Sequence, residues 1–111
     1  MKTLVLSIVA ACLALPSIAH AQAVKSCTEW QEAAKYAMEM RQLGVPQREV
    51  LQTAVNAMQE VGGEPHEIDF LKQIVFNAFR KPVERSERGA EAATIEYGEE
   101  ILTLCAPHLR L

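Results

Sequence analysis

The first 21 residues constrain the fold most, because they decide which cysteines the folded protein keeps. Lys2 supplies a positive charge, residues 4–15 form an apolar run, and residues 19–21 read Ala-His-Ala. This order is typical of a secretory signal peptide, and we expect cleavage after Ala21. The mature chain, residues 22–111, then folds as a periplasmic or secreted protein, outside the reducing cytosol.

Two other interpretations of the N-terminus are a membrane anchor and a lipoprotein signal. An anchor needs about 20 apolar residues, whereas this run is shorter and is interrupted by Pro16. Residues 9–12 resemble a bacterial lipobox, in which Cys12 would carry the lipid. A lipoprotein usually turns polar after that cysteine, but Leu13 and its neighbours continue the apolar run. We therefore expect no membrane span and no lipid on Cys12.

The expected mature chain keeps two cysteines, Cys27 and Cys105. In an oxidising compartment, two cysteines in a small domain are expected to pair. We therefore predict one disulfide between them. A chain of about 90 residues has room for one hydrophobic core, so residues 22–111 are expected to form a single domain.

The charge of the mature chain argues against nucleic acid as a partner. Without Lys2, the eleven Lys and Arg fall to ten, against fourteen Asp and Glu, which gives a formal charge of −4. A protein that binds nucleic acid independently of sequence carries a basic excess instead. The chain is rich in helix-forming residues and contains no repeat or low-complexity tract.

Local signals predict where the first two helices begin and end. Ser26 and Glu29 have the spacing of a capping box, and Gly44 lies where a left-handed C-cap belongs, so the first helix should end near Leu43. Pro46 fits the first position of a second helix, because its missing N–H would have no partner there. The glycine pair at residues 62–63 should end that helix.

Similar signals mark two further helices. Pro65 should open the third helix, and Pro82 should end it, because a proline pushes the preceding residue out of the α region. The fourth helix is expected to run from near Ser86 to Cys105. Within it, Gly98 either allows a neighbouring helix to approach closely or marks a bend.

Apolar residues recur every three or four positions in each segment, which predicts one buried stripe per helix. The residues expected in these stripes are Trp30, Ala33, Ala34, Ala37, Met38 and Met40; Val50, Leu51, Ala54, Ala57, Met58 and Val61; Ile68, Leu71, Ile74, Val75, Ala78 and Phe79; and Ala90, Ala93, Tyr97, Ile101, Leu102 and Leu104. Four amphipathic helices with short turns favour an all-α, up-down-up-down four-helix bundle. In that bundle both cysteines fall at the same end.

The sequence offers little catalytic chemistry. The mature chain has two serines, two histidines and one aspartate, and it contains no nucleophile elbow, phosphate-binding loop or dinucleotide motif. The nearest approach to a metal site is residues 64–69, which include His66, joined by His108 if the chain end folds back. This set lacks the histidine pair of a helix-borne zinc site, so His66 is expected to be a solvated first-turn residue. We expect no cofactor, no metal and no enzymatic activity.

Charge in the expected bundle separates into two ends. The turns after the first and third helices share the basic end, which consists of Arg41, Arg48, Arg80, Lys81, Arg85 and Arg88. The opposite, acidic end collects Glu29, Glu32, Glu60, Glu64, Glu67, Asp69, Glu99 and Glu100. Either these charges only complement helix dipoles, or the basic end is a surface for a partner or for lipid headgroups.

The order of several residues along the mature chain resembles that in a known class of proteins. Cys27 opens the first helix, residues 41–46 read Arg-Gln-Leu-Gly-Val-Pro, and Tyr97 and Gly98 precede Cys105. This layout, over most of the mature chain, resembles small exported helical proteins of Gram-negative bacteria. The resemblance implies a periplasmic helical protein and supplies no catalytic residues. Periplasmic immunity proteins and single-disulfide acid-stress chaperones share the general build, as analogies only.

These observations favour a non-enzymatic periplasmic protein that binds another protein, as an inhibitor or immunity factor. An acid-stress chaperone is the alternative within the same class. A small hydrolase or metal-dependent enzyme that uses His66 is the alternative from a different class.

Overall fold

The computed structural model describes residues 26–106, and in that range the chain forms four helices and no strand. These helices are α1 (Cys27–Leu43), α2 (Gln47–Glu60), α3 (Pro65–Phe79) and α4 (Glu87–Cys105). The predicted all-α fold of four helices is confirmed. The expected signal peptide, Cys12 and His108 lie outside the described residues.

The two ends of α1 form as the local signals predict. The Ser26 hydroxyl accepts a hydrogen bond from the Glu29 backbone N–H at 3.1 Å, and the Glu29 carboxylate accepts one from the Ser26 N–H at 3.4 Å. Gly44 has a φ of 85°, and its N–H donates to the Arg41 carbonyl at 3.1 Å. A left-handed residue without a side chain therefore ends the helix, as expected.

Two other helix starts are confirmed, and one differs by a residue. Pro65 is the first residue of α3, and the Ser86 hydroxyl caps α4 by accepting from the Gly89 N–H at 3.0 Å. Pro46 was expected at the first position of α2 but instead precedes the helix, with an extended ψ of 142°. Its carbonyl accepts the first backbone bonds of α2, so the proline serves as the cap residue.

The end of α3 also differs from the prediction. The helix stops at Phe79 rather than continuing to Pro82. The N–H groups of Arg80 and Lys81 donate to carbonyls three residues back, at 3.2 Å each, which tightens the last turn. The chain has therefore left the α-helix before the proline can terminate it.

The core is built around α1, which packs most extensively on α4 and next on α3, whereas α2 packs mainly on α3. The buried apolar residues are Trp30, Ala34, Ala37 and Met38 in α1; Val50 and Ala54 in α2; Leu71, Ile74, Val75 and Ala78 in α3; and Tyr97, Ile101 and Cys105 in α4. The Trp30 and Phe70 rings meet edge to face, with centroids 4.7 Å apart. The small side chains of Ala34 and Ala37, in the middle of α1, allow α3 and α4 to approach this helix closely.

Three residues expected in the core are exposed. Ala57 and Val61 lie at the end of α2 and just beyond it, and α2 as a whole has little contact with α1, so part of its apolar stripe is uncovered. Leu104 lies in the last turn of α4, and 54% of its surface is exposed, whereas Cys105 makes the contact with α1. The periodicity correctly predicted an apolar stripe on each helix, but it did not predict how much of that stripe the neighbouring helices cover.

A disulfide joins the first residue of α1 to the last residue of α4. The Cys27 and Cys105 sulfurs are 2.16 Å apart and their Cα atoms 5.6 Å apart, so the predicted pairing is confirmed. Gly98 lies where α4 passes α1 closely, because a Cβ there would lie 2.7 Å from the Lys35 Cγ. Of the two roles considered for Gly98, close approach is the one observed.

Candidate partner-binding surface

The end of α1 is fastened to the connection between α3 and α4, residues 80–86. The Gln42 side-chain amide donates to the Pro82 carbonyl at 3.0 Å, and its oxygen accepts from the Glu84 N–H at 2.7 Å. Gln42 therefore binds the chain on both sides of Val83. This clamp gives an otherwise irregular segment a defined position beside α1.

Two cations of the predicted basic end have structural contacts. The Arg41 Nε donates to the Lys81 carbonyl at 2.9 Å, and its guanidinium carbon lies 5.5 Å from the centre of the Phe79 ring. In the sequence Arg41 resembles a solvated cation at a helix end, but it is partly buried because it holds the connection against α1. The Lys81 ammonium lies 3.4 Å from the Glu100 carboxylate and 5.2 Å from the centre of the Tyr97 ring.

The other four cations of the basic end are exposed: Arg48, Arg80, Arg85 and Arg88. Two large apolar residues are exposed at the same end, on either side of the Gln42 clamp. Leu43 is 69% exposed and Val83 is 49% exposed. We call Leu43 and Val83 the apolar pair.

Sequence reasoning missed the apolar pair and the clamp. Leu43 directly precedes the Gly44 cap, and Val83 stands alone among charged residues and a proline. An apolar residue isolated in a polar turn was the available signal for Val83. Nothing in the pattern indicated that Gln42 would reach a segment some forty residues away.

The predicted acidic end is less uniform than expected. Glu100 pairs with Lys81 of the basic end, so these two charges offset each other. Glu67 is buried, with 4% of its surface exposed, and its carboxylate accepts from the Glu64 backbone N–H at 2.8 Å. This carboxylate caps the start of α3 from within the fold.

Tyr97 links α4 to α3 at the centre of the molecule. Its hydroxyl donates to the Ile74 carbonyl at 2.5 Å, and its ring is fully buried. Burial raises the pKa of the Tyr97 hydroxyl well above its usual range, and the nearby Glu100 carboxylate raises it further. The group therefore stays protonated and remains a hydrogen-bond donor.

His66 lies on the surface in the first turn of α3, with its Nδ1 3.7 Å from a Glu64 carboxylate oxygen. This is the solvated position expected for it. Within residues 26–106, no group of three or more His, Cys, Asp or Glu side chains is placed to hold a metal ion. None of the helices in the same range is long and apolar enough to cross a bilayer.

An open groove of about 920 Å³ runs between α1 and α4. Among the described residues, α1 lines it with Glu32, Lys35, Tyr36, Glu39, Gln42 and Leu43, and α4 lines it with Glu87, Arg88, Ala90, Glu91, Thr94 and Ile95. One end of the groove lies at the basic end, where Leu43 and Arg88 line it. The groove therefore adjoins the apolar pair.

Comparisons with protein-family models, with curated proteins and with solved structures gave no match. The resemblance to small exported helical proteins stays a prediction from the sequence. A function for this chain therefore has to be inferred from its own surface.

Proposed function

We propose that this protein is a non-enzymatic periplasmic module that binds another protein, as an inhibitor or immunity factor, through its basic end. The observation that carries the proposal is the exposed apolar pair, Leu43 and Val83, which lies within five residues of exposed arginines along the chain. Protein interfaces are enriched in Arg and bury apolar residues at their centres.

The contacts beneath the surface support this role. Gln42 and Arg41 fix the connection between α3 and α4 through side chain to backbone hydrogen bonds. A surface that is ordered before binding loses less conformational freedom when the partner arrives. The complementary partner would present an apolar patch surrounded by carboxylates.

Helix dipoles do not explain the positions of three of the four exposed arginines. Cations stabilise a helix near its C-terminus, and this accounts for Arg41 and Arg80. Arg48 and Arg88, however, lie in the first turns of α2 and α4, and Arg85 lies just before α4. Positive charge is unfavourable at those three positions, so a role in binding explains them better than dipole compensation.

Capture of a partner by matched variants tests the proposal. Immobilised protein would be incubated with periplasmic extract of cells that produce it. We expect one protein to be retained by the native chain and lost with Arg48→Ala/Arg85→Ala. The control, Lys35→Ala/Lys72→Ala, removes the same charge away from the basic end and should retain the partner. Equal retention by both variants, or no saturable retention by the native chain, would contradict the proposal.

An acid-activated chaperone is the second candidate, and the buried Glu67 favours it. Its carboxylate caps the first turn of α3 by accepting from the Glu64 N–H. Glu67 is the buried charged residue of the described range, and carboxylates that accept hydrogen bonds in the native state are the groups through which acid destabilises folded proteins. An enzyme that uses His66 remains the hypothesis from another class and stays a prediction from the sequence.

A further inference from the structure

The groove between α1 and α4 has the dimensions of a binding site for a helix. Its lining on α1 extends from Glu32 to Leu43, which is about 16 Å at 1.5 Å per residue. That length matches about three turns of a docked helix. All of its described lining residues come from α1 and α4, which run antiparallel because the disulfide joins the start of α1 to the end of α4.

The rim of the groove is acidic. Four glutamates line it, against Lys35 and Arg88. Glu32 pairs with Lys35 at 3.6 Å. In the part of the chain that the structure describes, Glu39, Glu87 and Glu91 have no cation within 4 Å. The rim therefore offers three carboxylates to a cationic ligand.

Apolar side chains line the same groove as these carboxylates. Tyr36 is half-buried, and Ile95 has 47% of its surface exposed. Leu43 lies at one end. An amphipathic helix places apolar residues at i, i+3, i+4 and i+7 on one face, a spacing suited to a groove of this kind.

We propose that this groove binds a basic amphipathic helix of a partner protein. The apolar face of that helix packs against Tyr36 and Ile95, and its flanking Lys or Arg side chains reach Glu39 and Glu91. The site shares Leu43 and Arg88 with the basic end but differs from the contact surface proposed there, because it selects cationic rather than acidic groups. It does not depend on the proposed function.

A designed peptide tests the groove directly. The probe is a 14-residue helical peptide with Leu on one face and Lys on both flanks. A second peptide carries Glu in place of Lys, and a third has the composition of the first in scrambled order. Titration into the ¹⁵N-labelled, disulfide-bonded protein should shift the amide resonances of α1 and α4 along the groove only with the first peptide. Binding of the scrambled or Glu-flanked peptide with the same affinity would overturn the inference.

Charge variants make the test specific to the groove. Glu39→Gln/Glu91→Gln should weaken binding of the Lys-flanked peptide about tenfold, as expected for the loss of two exposed ion pairs. The control, Glu60→Gln/Glu99→Gln, removes two exposed carboxylates outside the groove and should change affinity less than about twofold. An equal loss in both variants, or shifts confined to residues outside the groove, would also overturn the inference. Arg48 and Arg85, which the capture experiment replaces, do not line the groove, so either proposal can fail alone.

Discussion

Removing the Cys27–Cys105 disulfide should destabilise the protein more than any surface substitution. The bond closes a loop with a sequence separation of 78 residues. In the chain-entropy model, a loop of this length restricts the unfolded chain by about 15 cal/mol/K, or about 4.5 kcal/mol at 25 °C. Small domains have a total stability of about 5–15 kcal/mol. Cys27→Ala/Cys105→Ala should therefore remove about 30% or more of it.

Urea unfolding measures this loss, with Trp30 as the probe. Trp30 is the only tryptophan in the chain and is 5% exposed, so its fluorescence reports on the core. With a denaturant slope of about 1–3 kcal/mol/M, the unfolding midpoint should fall by about 1.5–4.5 M. Cys27→Ala alone should lose about as much, because either substitution removes the cross-link.

A reducing agent provides the control for the disulfide. It should move the native protein to the midpoint of the double variant and leave the double variant unchanged. A loss of less than about 1 kcal/mol in the double variant would refute the reasoning, since the bond would then not restrict the unfolded chain as the loop length implies.

Four further predictions concern Tyr97, Arg41, the processing of the exported chain and its response to acid. Tyr97→Phe should cost about 1 kcal/mol at neutral pH, the value of a typical hydrogen bond. Folding raises the pKa of the Tyr97 hydroxyl, so the contribution of this group to stability is complete below the unfolded pKa of about 10 and is lost as the pH rises above that value. Urea melts from pH 8 to 11 should therefore show the native protein losing stability faster than the Phe variant. Arg41→Ala should cost about 1–2 kcal/mol in the same assay, whereas the exposed Arg85→Ala should stay within about 0.5 kcal/mol; equal costs would contradict the structural role of Arg41. Mass spectrometry of the exported protein should show Gln22 as its first residue and a mass two hydrogens below the dithiol, and acylated Cys12 would contradict this. From pH 7 to pH 2, an inhibitor should keep its helicity and bind no hydrophobic dye, whereas cooperative dye binding with protection of client proteins would support the chaperone instead.

Helix boundaries were largely predictable because their signals are local. The Ser26 capping box, the Gly44 cap, Pro65 and Ser86 each act through backbone groups within a few residues, so sequence alone identifies them. The pairing of the two cysteines followed from their number and the expected compartment. None of these features requires knowledge of which helices touch.

The remaining features depend on packing between distant segments. Ala57 and Val61 have the correct spacing to be buried, yet both are exposed because α2 packs little on α1. Arg41 resembles a surface cation in the sequence, and only the position of the Lys81 carbonyl gives it a structural role. The apolar pair and the groove arise in the same way, because each combines residues from segments about forty or more positions apart.

Site-specific photo-cross-linking tests most directly whether the basic end binds a partner protein. Val83 and Leu104 are matched positions, because they are 49% and 54% exposed but lie in different parts of the molecule. A benzophenone amino acid would replace each in turn in cells that produce the protein. The proposal predicts one discrete cross-linked partner from position 83, absent when Arg48 and Arg85 are alanine, and none from position 104. The same adduct from both positions, or an adduct from position 104 alone, would contradict it.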